Sequence, residues 1–322
     1  MNGVILIDKP EGLTSHDVVA QVRKMCSTKK VGHAGTLDPF ATGLLVLCVG
    51  KATRIVEYVT GCNKEYAATM RLGESTDTQD LTGRTMTRRP VPEFSGRQLD
   101  EVFAGFVGGI AQVPPMFSAK KINGTRLYTL ARQGKVVERA ARAVTIHSLK
   151  IHAVALPEID FHVTCSSGTY IRTLAHDIGE RLGCGAHVTA LRRTRIGDFL
   201  LESAVSLEHL AELTKSEGLG RVLNPIDTAL TCFPAITVTD ALMQKILHGV
   251  RLEFPITAAF EAGSMGCRIA EFPRHEQICR IYSENGRFLG LAQWSQSQAD
   301  DADTWILRPR KVLVNPDCAE KP

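Results

Sequence analysis

The sequence Gly32-His33-Ala34-Gly35-Thr36-Leu37-Asp38-Pro39-Phe40-Ala41 places one carboxylate, that of Asp38, in a loop rich in glycine and proline. The apolar run 44–49 follows directly and predicts a buried strand. Asp38 precedes a proline, which biases its backbone toward an extended conformation. A rigid loop anchored on a core strand holds a side chain in place, so Asp38 is a candidate catalytic residue. The alternative is a tight turn in which Asp38 caps backbone amides.

Around this loop, the hydrophobic pattern predicts alternating strands and helices up to about residue 230. Predicted strands cover 4–7, 64–72, 144–155, 159–165 and 187–196, and predicted helices cover 15–23, 52–60, 95–107 and a segment beginning near 170. The polar run 73–89 is typical of a loop, and 112–142 of an extended, partly mobile arm. Beyond about residue 230, short strands at 235–238, 279–283 and 288–293 with one helix at 240–248 predict a small β-rich domain.

Composition indicates an ordinary globular protein whose basic residues are clustered. The chain has 322 residues, 44% hydrophobic and 22% charged, with a net charge of +4, and this length favours two domains. Between residues 118 and 142 there are seven basic residues and one acidic residue. Smaller clusters stand at 192–195 and 308–311. Such clusters suit a polyanionic partner, although a solvated surface is the alternative for any one of them.

The nine cysteines are scattered, without a Cys-x-x-Cys pair. An odd, irregular set argues against a disulfide framework and against a zinc site, and it fits reduced thiols in a cytoplasmic protein. The apolar run 4–7 is too short for a signal peptide, and no later segment reaches the length of a membrane span. We therefore expect a cytoplasmic location and no membrane partner.

The usual cofactor fingerprints do not occur in this sequence. It contains no phosphate-binding loop, no GxGxxG after a strand, no HExxH and no GxSxG. Chemistry performed by a carboxylate without a cofactor or metal is what remains.

Asp38 then needs partners, and three segments offer them. Arg172 follows a predicted strand-to-helix junction, where an extended backbone would direct it to the same side as Tyr170. A buried arginine would keep Asp38 ionised and orient it, whereas the alternative is a surface arginine. Tyr66 at the start of a strand offers a stacking platform for a base and a phenol for proton transfer, or simply core packing. His33 is a proton carrier or an aromatic wedge in the functional interpretation.

These segments together resemble the TruB family of bacterial tRNA pseudouridine-55 synthases. The resemblance covers roughly residues 3–230, with weaker similarity to a PUA-type RNA-binding domain beyond. It is carried by Asp8-Lys9-Pro10-Glu11-Gly12, by the Asp38 loop with Ala41-Thr42-Gly43, by Lys64-Glu65-Tyr66, by Arg71-Leu72-Gly73 with Thr76-Asp77-Thr78-Gln79-Asp80, and by Ser167-Gly168-Thr169-Tyr170-Ile171-Arg172.

The resemblance implies a fold and a division of the chain. We expect an α+β pseudouridine synthase domain over 1–230, with a mixed, mainly antiparallel sheet and flanking helices. A PUA-like RNA-binding domain would occupy 231–315, and 316–322 would be a tail. The basic segment 112–142 resembles the family's RNA-gripping arm, so Lys120 and Lys121 are expected to bind RNA phosphates.

The resemblance also implies roles for single residues. Asp38 matches the catalytic aspartate, Tyr66 the tyrosine that stacks on the base, and Arg172 the arginine paired with the aspartate. The other implied positions are Tyr170 and Leu191 in the pocket wall, His33 in the space left by the extruded nucleotide, and Lys9 beneath the catalytic loop. The implied reaction converts uridine 55 in the tRNA T-arm to pseudouridine without a cofactor or metal. A monomer acting without a guide RNA is expected.

Two alternatives belong to other functional classes. One is a tRNA-folding, RNA-binding protein built on the same scaffold without catalysis. The other is a glycosidase-like hydrolase, which needs a second carboxylate beside the bond. Asp77 and Asp80 are candidates for that second carboxylate only if the fold brings them close to Asp38.

Overall fold

The computed structural model describes residues 1–118, 120–122, 124–135, 137–216, 218–255, 267–269, 273–296 and 304–314. The chain forms two compact units. The larger comprises Ile5–Cys48 and Val56–Leu223; the smaller comprises Met1–Val4, Val49–Ile55 and the chain from Asn224 onward. The predicted tail, 316–322, lies outside the described residues.

Strands and helices are interspersed along the first part of the chain. The strands are β1 Gly3–Lys9, β2 Val31–His33, β3 Thr42–Val49, β4 Lys64–Leu72, β5 Glu74–Thr76, β6 Thr85–Arg88, β7 Gly108–Gln112, β8 Lys121–Ile122, β9 Thr125–Arg126, β10 Arg142–Ala155, β11 Glu158–Cys165, β12 Ala186–Ile196 and β13 Phe199–Leu200. The α-helices are α1 Ser15–Met25, α2 Val56–Gly61, α3 Gly96–Ala104, α4 Leu127–Arg132, α5 Ile171–Arg181 and α6 Leu207–Lys215. Short 3-10 helices cover Gly50–Ile55, Leu201–Ser203, Gly218–Arg221 and Ile226–Leu230.

One nine-stranded sheet organises the larger unit. Its order is β1-β3-β12-β4-β11-β10-β7, with β2 on β3 and β13 on β12. The β3–β12 pair is parallel, whereas the pairs β12–β4, β4–β11, β11–β10 and β10–β7 are antiparallel. The predicted mixed, mainly antiparallel sheet is confirmed.

Helices α3 and α5 cover one face of this sheet. Alternate residues of β4, from Lys64 and Tyr66 to Leu72, are buried on that face. The core joins them to Phe161 of β11, Phe103 of α3 and Leu174 of α5, among others. Because more and less buried residues alternate along β4, the sequence pattern could predict this strand.

Three local predictions need correction or refinement. The helix capped by Ser95 ends at Ala104, three residues earlier than predicted. The run 73–89 is not a loop throughout, because β5 and β6 pair as a hairpin in which the Ser75 and Thr87 hydroxyls meet at 2.6 Å. The segment 112–142 is not simply extended, since it holds the β8–β9 pair and α4.

The smaller unit is β-rich, as predicted. It contains β14 Ala235–Val238, β15 Leu252–Pro255, β16 Cys267–Ile269, β17 Ile278–Ser283, β18 Phe288–Gln296, β19 Thr304–Val312 and the helix α7 Asp240–Leu247. The sheet order is β15-β19-β18-β17-β14-β16. Trp294 packs between Phe254 and Trp305, with ring centroids 5.6 and 6.3 Å away.

No helix in the described part of the chain has both the length and the apolar character needed to cross a membrane.

Candidate active site

The loop that carries Asp38 is fixed from beneath by two buried side chains. The Ser15 hydroxyl accepts from the Leu37 N–H at 2.9 Å and donates to the Leu37 carbonyl at 3.2 Å. Lys9, fully buried, donates from Nζ to the carbonyls of Pro10 and Leu13 at 2.7 Å and of Pro39 at 3.3 Å. Lys9 therefore lies under the Asp38 loop, and its pKa is lowered to about 8, chiefly by burial.

Arg172 holds the Asp38 carboxylate in a two-point ion pair. Its Nε lies 2.9 Å from Asp38 Oδ2, and its Nη2 donates to Oδ1 at 3.2 Å. The same guanidinium donates to the carbonyls of Thr78 at 2.7 Å and Phe117 at 2.8 Å, and it lies 3.2 Å from Asp80 Oδ2. With these contacts the N–H groups of the guanidinium are used, so its plane and orientation are fixed.

The backbone around Arg172 differs from the predicted extended stretch. Tyr170 is extended and occupies the N-cap position of α5, whereas Arg172 is already the second residue of the helix. Gln112 at the end of β7 holds Tyr170, accepting from its N–H at 3.0 Å and donating to its carbonyl at 3.2 Å. The start of α5 is therefore tied to the start of the basic segment.

Asp80 is a site residue that the sequence argument considered only for hydrolysis. Its carboxylate is 5% exposed, contacts Arg172, and accepts from the Thr78 and Thr82 hydroxyls at 2.7 and 2.6 Å. Asp77, by contrast, is exposed and accepts from the Arg84 N–H in the β5–β6 hairpin. These contacts hold the Asp80 carboxylate in place as a hydrogen-bond acceptor. Asp38, whose side chain is 34% exposed, is therefore the accessible carboxylate of the two.

Burial raises the pKa of Asp38 above its ordinary value, and the charge of Asp80 acts in the same direction. The Arg172 guanidinium opposes both effects. Poor solvation makes a carboxylate more reactive, and the ion pair favours its charged form.

A cavity of about 260 Å³ adjoins this ion pair. Five predicted site residues line it: Asp38, Tyr66, Tyr170, Arg172 and Leu191. Burial raises the pKa of the Tyr66 phenol, and the neighbouring Arg193 opposes that shift. The fold thus brings together a carboxylate, a buried aromatic ring and an aliphatic wall from segments that are distant in sequence.

Three further lining residues were missed. Arg193, assigned to a surface cluster, is 1% exposed and donates to the carbonyls of Leu44 at 2.8 Å and Gly35 at 3.0 Å. Lys64 is also buried and lines the cavity. The buried Ser118 Oγ lines it too, and has no hydrogen-bond partner among the described residues.

The remaining predicted residues lie elsewhere. His33 is half-buried, its ring 5.6 Å from that of His16, and burial lowers its pKa. Lys120 is half-buried, whereas the side chain of Lys121 lies outside the described part of the structure. Within the described residues, no group of three His, Cys, Asp or Glu side chains has an arrangement that could hold a metal ion.

Comparison with known proteins agrees with this fold. The family description "TruB family pseudouridylate synthase (N terminal domain)" matches residues 23–171, and "tRNA pseudouridylate synthase B C-terminal domain" matches residues 172–231. A protein of Burkholderia mallei (strain NCTC 10247) named tRNA pseudouridine synthase B is 43% identical over 314 residues, covering 98% of this chain and 97% of its own. One of the same name from Geobacter sulfurreducens is 47% identical over 250 residues, covering 78% and 82%.

Solved structures show the same architecture. A chain of a Cbf5-Nop10-Gar1 complex matches with a TM-score of 0.76 and 27% identity, covering 99% of this chain and 87% of its own. A chain of an H/ACA ribonucleoprotein bound to a substrate RNA containing 2′-deoxyuridine matches with a TM-score of 0.73 and 26% identity, covering 98% and 86%. Fold and site thus define a pseudouridine synthase. Because the family descriptions and the relatives span most of the chain, this protein belongs to the TruB family of pseudouridylate synthases.

Proposed function

We propose that this chain isomerises uridine 55 in the TΨC arm of tRNA to pseudouridine, with Asp38 as the catalytic carboxylate. The observation that carries the proposal is the cavity itself, in which Arg172 presents the Asp38 carboxylate beside the buried ring of Tyr66. Membership of the TruB family and the names of the curated relatives support the substrate.

The reaction exchanges one bond between uracil and ribose for another. The N1–C1′ bond breaks, the base turns, C5 bonds to C1′, and the proton on C5 is lost while N1 gains one. Asp38 either bonds to C1′ or assists removal of the base through a glycal, and both routes need an ionised carboxylate at the ribose. The buried cavity holds the detached base and limits the access of water.

The target nucleotide must leave the T-loop to reach this cavity, since its glycosidic bond lies inside a folded RNA. Tyr66 then stacks on the base and is a candidate for proton transfer, while Tyr170 and Leu191 bound the pocket. His33 fills the space that the nucleotide leaves. Lys120 and Lys121 of the basic segment bind phosphates, which position the RNA without reading its sequence.

The finer assignments are part of the same proposal. The synthase domain spans 1–230, a PUA-like RNA-binding domain spans 231–315, and 316–322 is a tail. The protein works as a monomer, without a guide RNA, a cofactor or a metal, in the cytoplasm where tRNA is processed. The bacterial relatives, which match nearly the whole chain, support unguided recognition.

The test is to incubate the purified protein with an unmodified tRNA transcript and map pseudouridine by carbodiimide labelling and primer extension. We expect one new stop, in the T-loop. Asp38→Asn should abolish it while tRNA binding is kept, because the substitution removes the charge and retains the shape. Asp77→Asn, at an exposed position in the β5–β6 hairpin, is the matched control and should keep the stop.

The competing functions give other results. Tight tRNA binding without any new stop would favour the RNA-folding protein. Release of free uracil would indicate hydrolysis, whereas isomerisation leaves the mass of the RNA unchanged. Equal loss of binding and turnover in Asp38→Asn would assign Asp38 a structural role.

A further inference from the structure

Buried positive charge is concentrated at one place in this protein. Among the described residues, the buried lysines and arginines are Lys9, Lys64, Arg172 and Arg193. Three of them line the Asp38 cavity, and Lys9 lies under its loop. Among the described residues, the carboxylates that contact Arg172 are those of Asp38 and Asp80, and Glu11 and Asp17 also act electrostatically on Lys9.

Lys64 and Arg193 form a pair on one face of the sheet. Arg193 of β12 lies opposite Tyr66 of β4, and Lys64 precedes Tyr66 by two residues on the same side of β4. A Cβ atom placed on Gly35 would lie 3.4 Å from Arg193 Nη1 and 3.8 Å from Lys64 Cε, so both cations flank one point of the catalytic loop.

Neither of these cations has a carboxylate partner in the described structure. Lys64 donates from Nζ to the carbonyls of Thr60 at 2.5 Å and Cys62 at 2.6 Å, which uses two of its three N–H groups. Arg193 donates to two backbone carbonyls and interacts with the neutral phenol of Tyr66. Burying an ion without a counter-ion costs several kcal/mol, so a lining of two such cations indicates that an anionic group occupies the cavity during function.

We propose that Lys64 and Arg193 stabilise the negative charge that uracil acquires when the N1–C1′ bond breaks. This inference rests on the proposed isomerisation. The electron pair of the N1–C1′ bond stays on the base and spreads over N1, O2 and O4. On one route C1′ bonds to the Asp38 carboxylate; on the other, Asp38 removes the proton from C2′ and the glycal forms. When C5 bonds to C1′, the base loses its negative charge, and the charge returns to the Asp38 carboxylate as its bond to C1′ breaks or as it gives its proton back to C2′.

The depth of the two cations favours the base over a phosphate as their partner. Lys64 is 6% and Arg193 1% exposed, whereas the Asp38 side chain, which acts at the ribose, is 34% exposed. A nucleotide that enters base first leaves its phosphates at the open side. Tyr66, the stacking ring, lies directly beside both cations, so the base that stacks there meets them.

Lys64 can carry this charge at neutral pH. Its pKa is lowered to about 8, chiefly by burial and also by the charge of Arg193, while the thiols of Cys62 and Cys165 act in the opposite direction. Fixed donors aimed at developing charge in a buried site typically contribute about 10²- to 10³-fold to a rate. The contribution of Lys64 should therefore fall as the pH rises through about 8.

The experiment compares wild type, Lys64→Met and Lys64→Arg in single-turnover reactions with two tRNA transcripts, one with uridine and one with 5-fluorouridine. Fluorine makes uracil a more stable anion, so bond cleavage depends less on the protein. Because fluorine at C5 blocks the final proton loss, the readout for that transcript is disappearance of 5-fluorouridine after nuclease digestion. Exposed Lys24→Met is the matched control.

We expect Lys64→Met to slow uridine turnover about 10²-fold with unchanged tRNA affinity. The deficit should be clearly smaller with 5-fluorouridine. Lys64→Arg should restore the rate at pH 7 and exceed wild type at pH 9, where Lys64 is neutral. Wild-type inactivity on the uridine transcript would instead contradict the proposed function itself.

Three results would overturn the inference while leaving the proposed function intact. The first is an equal deficit with both transcripts. The second is weaker tRNA binding with a flatter salt dependence, which would assign Lys64 to a phosphate. The third is a Lys64→Arg variant whose rate depends on pH in the same way as the rate of wild type. This comparison can be made even if Lys64→Met fails to fold.

Discussion

Arg172 joins three separate segments of the chain at the Asp38 carboxylate. Its guanidinium contacts Asp38 in the loop before β3, Thr78 and Asp80 in the hairpin segment, and Phe117 in the basic segment. A planar donor with its N–H groups in fixed directions imposes a geometry on each acceptor. The position of Asp38 therefore depends on contacts made by residues far from it in sequence.

Asp80→Asn tests that dependence. The substitution removes a charge from a buried network and leaves Arg172 with one carboxylate, so the guanidinium should shift toward Asp38 and misplace it. Because small misplacements cost about 10²-fold in rate, we expect a loss of that order in single-turnover pseudouridine formation. Affinity for tRNA, measured by filter binding, should not change. An unaltered rate would show that Asp38 is positioned without Asp80.

Lys64 is expected to reduce the stability of the fold. Its pKa in the folded protein is about 8 against an ordinary value of 10.5, so the charged form is disfavoured by folding. This cost is fully present below about pH 8 and is relieved as the pH rises toward 10.5. A pKa shift of this size corresponds to a destabilisation of at most about 3 kcal/mol. Replacement of Lys64 should recover less than this, because the hydrogen bonds of its side chain are lost at the same time.

We therefore expect Lys64→Met to raise the free energy of unfolding at pH 7 by about 1–2 kcal/mol, and by less at pH 10. Urea denaturation at the two pH values measures this difference. Destabilisation at both values would mean that Lys64 is a structural residue whose hydrogen bonds outweigh its desolvation.

The sequence located the residues that carry reactive groups but not the ones that set their electrostatics. Asp38, Tyr66 and Arg172 stand in recognisable motifs, and the fold places all three in one cavity. Arg193 was assigned to an exposed cluster because neighbouring arginines are usually solvated. Its burial depends on β12 lying between β3 and β4, which is a property of sheet order that no local pattern records.

At the level of elements, the contact between α5 and β12 determines where Arg172 lies. The two pack closely at Gly179, where an added Cβ would lie 2.3 Å from the Ala186 backbone nitrogen. Such a contact is shorter than van der Waals packing allows, so any larger residue must displace the helix. The close approach is a tertiary requirement, and a glycine inside a predicted helix gives little indication of it from sequence alone.

Gly179→Ala should consequently destabilise the protein and lower its activity together. We expect a loss of about 1–3 kcal/mol in thermal or urea unfolding, as for other overpacked positions. The rate should fall because α5 carries Arg172. Gly96→Ala is the matched control, since a Cβ there meets nothing within 4 Å and alanine favours the start of α3. Equal behaviour of the two variants would refute the packing argument.

Polar elements are among those that sequence patterns failed to predict. The β5–β6 hairpin is held by pairs such as Ser75 with Thr87 and Thr85 with Glu74, and all four residues of β6 are exposed. Without an apolar face there is no period-two signal, so the run resembled a loop. The basic segment was predicted to be extended because it contains Pro114-Pro115 and two glycines, although it holds α4 and the β8–β9 pair.

On the scale of the whole molecule, positive charge occurs in two physically different settings. Buried cations at the cavity act over a few ångströms in a poorly solvated region, where they affect chemistry. The basic residues of 112–142 sit on a segment with exposed positions, where salt screens them and phosphates are their natural partners. The net charge of the whole chain is only +4, which gives no indication of either group of cations. A rise in ionic strength should distinguish the two groups, because it weakens the interactions of the basic segment with RNA and leaves those of the buried cations almost unchanged.

Combined substitution of Lys120, Lys121 and Arg126 by alanine tests the basic segment. Removal of one phosphate-binding side chain should reduce the slope of log affinity against log salt by about 0.7–0.9, so removal of three should lower it by about 2–3. The single-turnover rate at saturating tRNA should be retained, because the cavity keeps its own charges. The matched control replaces Lys24, Lys29 and Lys30, three exposed lysines near the end of α1, and removes the same net charge. If both triple variants flatten the slope equally, binding responds to net charge, and the basic segment has no special place in holding the RNA.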